Sequence, residues 1–256
     1  MFWYDSKLID QEHLVLNINE PGFIYGATVF TTMRVYQKSL THPLTSWPAH
    51  CDRIFRSIEV FDWQQPNWSS LRQGSELLIS YFPVLRMVVF PDGKELIIGR
   101  NLPPDLEQRQ QQGITAWVAT DNLLRRDLAA HKTGNYLSSY LARNQALKLN
   151  AQEAILVDSQ GNWLETSTGN LWGWQDGCWY TPVLDVGILP GIMRSQLLKN
   201  LQDNRLAVQE NIWTPEFVAS LEAISYSNCV VEVIPINTIL CSGNKLNYSI
   251  VDLQRF

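Results

Sequence analysis

The sequence predicts an α+β protein made of two halves. Short runs rich in β-branched and aromatic residues alternate with segments whose apolar residues recur at helical spacing, and turn residues bound each run. A proline- and glutamine-rich stretch, Asn101 to Gly113, interrupts the chain near its middle and reads as a linker, giving domains 1–105 and 106–256. Phe2 to Tyr4, a turn at Asp5-Ser6 and the broken apolar pattern beyond it predict an edge hairpin. Thr28 to Tyr36 (TVFTTMRVY) predicts a strand. Ser46-Trp47-Pro48 then supplies an N-cap with proline in the first turn, and Ile54, Ile58 and Phe61 continue that helix. A second helix is expected over Ser69 to Tyr81, with strands at Leu85 to Phe90 and Glu95 to Ile98 around the turn Pro91-Asp92-Gly93. Beyond the linker come a strand (Ile114 to Ala119), a helix (Asn135 to Leu149) and short strands from Glu153 to Tyr180. Leu189-Pro190-Gly191 opens a helix running to about Gln202. Strands near Ala207 to Glu210 and Cys229 to Ile234 flank a short helix after Thr214-Pro215-Glu216.

Composition removes several classes of function. With 256 residues, 45% hydrophobic and 18% charged, the chain can bury a core and is neither disordered nor collagen-like. A net charge of -5 argues against nucleic acid, which needs a basic surface, and leaves a small molecule as the expected partner. Four scattered cysteines spell neither a zinc ribbon nor a dithiol, and four histidines without an H-E-x-x-H pattern predict no metal site. No run approaches the ~20 apolar residues of a membrane span. Asp5 and Lys7 stand where a secretory signal would be apolar, so a cytoplasmic location is expected.

Several residues carry possible chemistry, each with an ordinary structural reading beside it. Lys132, in AAHKTGNYL, has small or neutral neighbours that would let an ammonium lose solvent and become a nucleophile; it is equally one of seven lysines. Glu165, opening ETSTGNLW, is a carboxylate at a strand end, suited to hold a protonated ring nitrogen or to form a turn. Gly191-Ile192-Met193 begins a helix, where unpaired N–H groups favour an anion. Ser227-Asn228-Cys229 is a small polar turn, and Arg53 on AHCDRIFRS is suited to pair with phosphate.

In order along the chain these pieces are YGATVFTTMRVY, H-x-x-R (His50 to Arg53), K-x-x-N (Lys132 to Asn135), E-x-x-x-x-N-L (Glu165 to Leu171) and L-x-G-I-M-R (Leu189 to Arg194). Together they resemble the class IV, D-amino-acid-aminotransferase-like family of pyridoxal-phosphate enzymes, over essentially the whole chain. The resemblance implies the two-domain α+β architecture called fold type IV and pyridoxal 5'-phosphate as cofactor. It implies Lys132 as the Schiff-base lysine, which also moves protons, and Glu165 as the partner of the pyridine nitrogen. Arg53, Ile192, Met193, Asn228 and Cys229 would hold the phosphate, and Leu189 would pack beneath the ring.

The resemblance further implies a small amine-bearing carboxylate as substrate and a homodimer whose subunits lend each other a loop. The sequence departs from the family at Trp172 and Trp179, where smaller residues are usual, and at Phe90 to Arg100, which lacks an arginine- and glycine-rich carboxylate loop. Tyr25, Arg86 and Arg100 are therefore the candidate substrate contacts. The F-T-T-x-R pattern at Phe30 to Arg34 and the short chain resemble 4-amino-4-deoxychorismate lyases, which form 4-aminobenzoate and pyruvate on the way to folate, with Thr31 expected to orient a substrate group. The alternative is a D-amino acid or branched-chain aminotransferase.

Overall fold

The computed structural model describes residues 1–250, in two units: Met1–Pro103 with His131–Tyr136, and Pro104–Ala130 with the chain from Leu137 on. The chain leaves the first unit at a pair of prolines, returns for six residues and leaves again. Lys132 therefore packs in the first unit, whereas the sequence reading gave it to the C-terminal half.

The first unit contains β1 (Phe2–Tyr4), β2 (Lys7–Ile9), α1 (Pro21–Ile24), β3 (Val29–Arg34), α2 (Trp47–Phe61), α3 (Trp68–Leu78), β4 (Val84–Val89) and β5 (Glu95–Arg100). Among the described residues its strands form an antiparallel sheet in the order β2-β1-β5-β4-β3. The expected edge hairpin is present. Asp5 and Ser6 both adopt positive φ (46° and 64°), the turn that matches the twist of a two-residue hairpin. Strand alternation then divides the sheet into two faces. Val29, Met33, Leu85, Met87, Val89, Ile97 and Trp3 point to one side, where they form the core with Ile54 and Ile58 of α2 and Leu71 and Leu78 of α3. Gly74 lets α3 approach, since a Cβ there would lie 2.4 Å from the Trp3 ring. Ser46 precedes α2 as expected but sits in the left-handed region and makes no side-chain cap.

The second unit contains α4 (Leu106–Gln112), β6 (Ile114–Ala119), α5 (Leu137–Lys148), β7 (Glu153–Val157), β8 (Trp163–Thr166), β9 (Asn170–Gln175), β10 (Cys178–Pro182), α6 (Ile192–Asp203), β11 (Val208–Asn211), α7 (Pro215–Ser220), β12 (Ala223–Asn228), β13 (Glu232–Cys241) and β14 (Asn244–Asn247). The sheet order is β11-β10-β9-β12-β13-β6-β7-β8 with β14 beside β13, and β8 also pairs with β9. That last pairing closes six strands on themselves, which removes their free edges. Trp172 and Trp179, the bulky departures noted above, are fully buried and pack with Leu201 of α6 and Ala223 of β12.

Two expectations fail here. Most of the presumed linker is α4: Leu106 is buried, and Arg109 bonds to Asp105 one turn back. The strand expected over Cys229 to Ile234 fails in its first half: Cys229 to Val231 turn the chain between β12 and β13, and β13 begins at Glu232. Pro235 lies inside β13 opposite Ser225, although proline normally marks a strand as an edge. Among the described residues no helix is long and apolar enough to cross a membrane.

Candidate active site

In the first unit the face of the sheet opposite α2 and α3 gathers cations. The register aligns Thr32 with Arg86 and Ile98, and Arg34 with Val84 and Arg100, so Arg34, Arg86 and Arg100 share that face with Phe30. The Arg86 guanidinium lies 3.6 Å from the centre of the Phe30 ring, and Lys132 Nζ lies 4.9 Å from the same ring and 5.1 Å from that of Tyr136. These are cation–π distances in a partly desolvated setting. Burial and the neighbouring Arg100 lower the Arg86 pKa from the ordinary guanidinium range to about 10. The segment carrying Lys132 is pinned to β3: Phe30 N donates to Lys132 O (2.8 Å) and Gly134 N to Thr28 O (2.7 Å). Gly134 permits this approach, because a Cβ would fall 2.3 Å from Thr28 Oγ1.

On the other face, Thr31 is fully buried and its hydroxyl lies 2.6 Å from His50 Nδ1 on α2. Burial, followed by the positive charges of Arg53 and Lys132, drives the His50 pKa down to about 3, so the ring is neutral. A neutral imidazole adds no third positive charge beside those two. Arg53, three residues along the same helix, is half-buried.

In the second unit, Glu165 on β8 is buried and ion-paired with Arg126, which also donates to Ala129 O. Its second oxygen accepts from Leu189 N at 3.2 Å, and the Leu189 carbonyl accepts from Asn170 Nδ2 at 2.9 Å. Gly191 follows at the start of α6, so close to Asn170 that a Cβ would sit 1.9 Å from its Oδ1. α6 has no side-chain cap, which leaves the N–H groups near Ile192 and Met193 without a capping acceptor from the protein. Beside β9, Asn228 Oδ1 accepts from Val230 N and Val231 N, its Nδ2 donates to Thr168 O, and Trp172 Nε1 donates to Ser227 Oγ.

In the first unit the structure thus brings Arg86, Arg100 and Lys132 to the Phe30 face of the sheet, and places Arg53 on α2 beside His50, whose ring feels the charges of both Arg53 and Lys132. It brings Glu165 and Leu189 together in the second, with Ile192 and Met193 opening α6 two residues beyond Leu189. Three assignments change. Thr31 points into the helix-packed core, whereas Thr32, one residue on, shares the face with Phe30 and Arg86; the two-residue period of a strand was the signal for this. Asn228 braces its turn with both ends of its amide, so its side chain serves the turn. Tyr25 is exposed, at the end of α1. Arg126 and Tyr136 were not foreseen, and no motif marks them. A lysine against aromatic rings, a held and buried carboxylate, and an uncapped helix start match the three needs of an aldehyde-bearing, phosphorylated pyridine. Among the described residues no group of His, Cys, Asp and Glu could hold a metal ion.

Comparison with known proteins bears on the family and the fold. An aminodeoxychorismate lyase of Vibrio harveyi is 24% identical over 271 residues, covering 100% of this chain and 97% of that protein. A D-alanine aminotransferase of Listeria monocytogenes is 27% identical over 257 residues, covering 92% and 86%. The branched-chain aminotransferase of Thermoproteus uzoniensis, crystallised with norvaline, superposes with a TM-score of 0.81 at 20% identity, covering 99% of this chain and 90% of its own, and so shares the fold. The amino-transferase class IV family model matches residues 28–239, and the chain therefore belongs to that family of pyridoxal-phosphate enzymes.

Proposed function

We propose that the protein is a pyridoxal-phosphate-dependent lyase that converts 4-amino-4-deoxychorismate to 4-aminobenzoate and pyruvate. The observation that carries this reading is the cationic face of β3, β4 and β5: Arg86 is stacked on Phe30 beside Arg100, and no acidic residue shares their register positions. A substrate with two separated carboxylates matches two arginines, whereas a simple amino acid offers one. The full-length likeness to the Vibrio harveyi lyase supports the same choice.

The cofactor, when bound, withdraws electrons from the carbon that bears the substrate nitrogen. Lys132 would bond its aldehyde and, once released, its Nζ would move the proton off that carbon. The rings of Phe30 and Tyr136 would hold the amine in place and keep bulk water from it. Glu165, held by Arg126 and Leu189 N, would accept the ring N–H. Arg53, the α6 start at Ile192 and Met193, and the backbone at Cys229 would take the phosphate, with Leu189 beneath the ring. Arg86 and Arg100 would orient the carboxylates so that the enolpyruvyl oxygen leaves as the ring becomes aromatic. Thr32 replaces Thr31 as the hydroxyl available on this face. A homodimer, in which the exposed Phe23 and Tyr25 of one subunit reach its partner, completes the reading.

The test is the purified chain supplied with pyridoxal phosphate. Release of 4-aminobenzoate from the aminated chorismate, abolished with the visible cofactor band by Lys132→Ala, is the expected result. Transfer of amino groups from many amino acids to keto acids without 4-aminobenzoate would overturn the lyase in favour of an aminotransferase.

A further inference from the structure

We infer that His131 is a positioning residue that fixes Lys132 relative to Arg53 through Ser57; the inference rests on the cofactor roles proposed above for those two cations. His131 Nδ1 lies 3.0 Å from Ser57 Oγ, and Ser57 Oγ lies 3.2 Å from the carbonyl of Arg53. Ser57 has one hydroxyl proton. Its donation to the Arg53 carbonyl, which the serine one helical turn later can reach, requires Nδ1–H of His131 to donate to Oγ. The result is a directed chain from His131 through Ser57 to the backbone of Arg53. Phe61, a further turn along α2, packs against the His131 ring at 4.9 Å between centroids. Arg53, Ser57 and Phe61 thus follow at four-residue steps on one stripe of α2.

The segment on which Lys132 sits is anchored to β3 along one side. Its backbone bonds to β3 at Phe30 and Thr28, and a short segment fixed along a single strand edge can still roll about that edge. The clamp on His131 adds a second anchor one residue before the lysine, on the helix that carries Arg53. Roll becomes fixed, and with it the separation between the amine and the arginine. His50 registers this convergence from one turn earlier on α2, where it feels the charges of both Arg53 and Lys132.

The experiment compares cofactor binding in the whole chain and four variants, read by the apparent dissociation constant for pyridoxal phosphate and by the circular dichroism of the bound cofactor. His131→Phe keeps a ring against Phe61 but removes the donor, and Ser57→Ala removes the relay. Each is expected to weaken binding about three- to tenfold, the loss of one hydrogen bond, and to change the cofactor's dichroic signal. The double variant should lose no more than either single one. His131→Asn, whose amide nitrogen can take the place of Nδ1, should restore both signals. Lower thermal stability with unchanged binding and dichroism, or losses that simply add, would overturn the positioning role. If the unaltered chain binds no pyridoxal phosphate, the cofactor reading itself fails; if it binds and the variants bind equally, only the role of His131 fails.

Discussion

Arg86 is a cation that the folded protein holds at a cost, and replacing it by methionine should expose that cost. The fall in its pKa from the ordinary guanidinium range to about 10 corresponds to roughly 3 kcal/mol of unfavourable free energy for the charged form. At pH 7 the arginine is charged both folded and unfolded, so the whole penalty applies; it would fade only as the pH rose beyond about 10. Methionine keeps much of the apolar stem but loses the contact with the Phe30 ring, worth about 0.5–1 kcal/mol. Arg86→Met is therefore expected to stabilise the chain by about 2 kcal/mol, seen as a higher urea midpoint with an unchanged slope.

The same substitution should damage function. A guanidinium waiting for a carboxylate is relieved when substrate binds, and losing one member of such a pair costs about 2–5 kcal/mol. The value of kcat/KM should fall at least about thirtyfold. A variant that unfolds at lower urea than the unaltered protein and keeps its kcat/KM would refute the assignment of Arg86 as a strained cation reserved for substrate.

Three further outcomes follow from the geometry. Arg126→Ala leaves Glu165 buried without its cation, so stability should drop by about 3–5 kcal/mol in a urea titration, and Arg126→Lys should recover part of it. His50 is neutral in the fold with a pKa near 3, whereas the unfolded chain protonates it near 6.5. Stability should therefore fall as the pH drops from about 6.5 toward 3, and His50→Gln should flatten that dependence in melts at pH 7 and 5. Gly191→Ala forces a Cβ against Asn170 and should cost about 1–3 kcal/mol through the lost bond to Leu189 O, again read by urea denaturation.

Much of the fold was legible because local signals and tertiary needs agreed. The Asp5-Ser6 turn, the strand after Thr28 and the helix after Pro48 all stand within a residue or two of their expected limits. Where tertiary packing overrode local preference, the sequence misled. Leu106 to Gln112 is polar enough to read as linker, yet one buried leucine and a same-helix ion pair suffice for α4. Pro235 hid the continuation of β13 beyond Ile234, where neighbours on both sides supply pairing that a proline-bearing strand does not advertise. The site shows the same split. Lys132 and Glu165 could be found as residue types in sequence context. Arg126 could not, since a cation six residues before the lysine acquires meaning only when the chain folds it onto β8.

The six residues VFTTMR show why reading motifs without periodicity assigns the right strand and the wrong side chain. A motif treats Thr31 and Thr32 as equivalent hydroxyls, but a strand sends them to opposite faces. Thr31 goes inward to His50 and ties β3 to the helix carrying Arg53. Phe30, Thr32 and Arg34 go to the face where Lys132 and Arg86 lie against one aromatic ring. An acid at 32 would place a negative charge directly opposite Arg86, cancelling the cation proposed above to meet a carboxylate, whereas a hydroxyl adds no charge there. The same acid at 31 would instead meet His50 in a sealed interior and raise its pKa. Thr32→Glu should thus abolish diacid turnover with little effect on folding, and Thr31→Glu should be felt first as a change in the titration of His50.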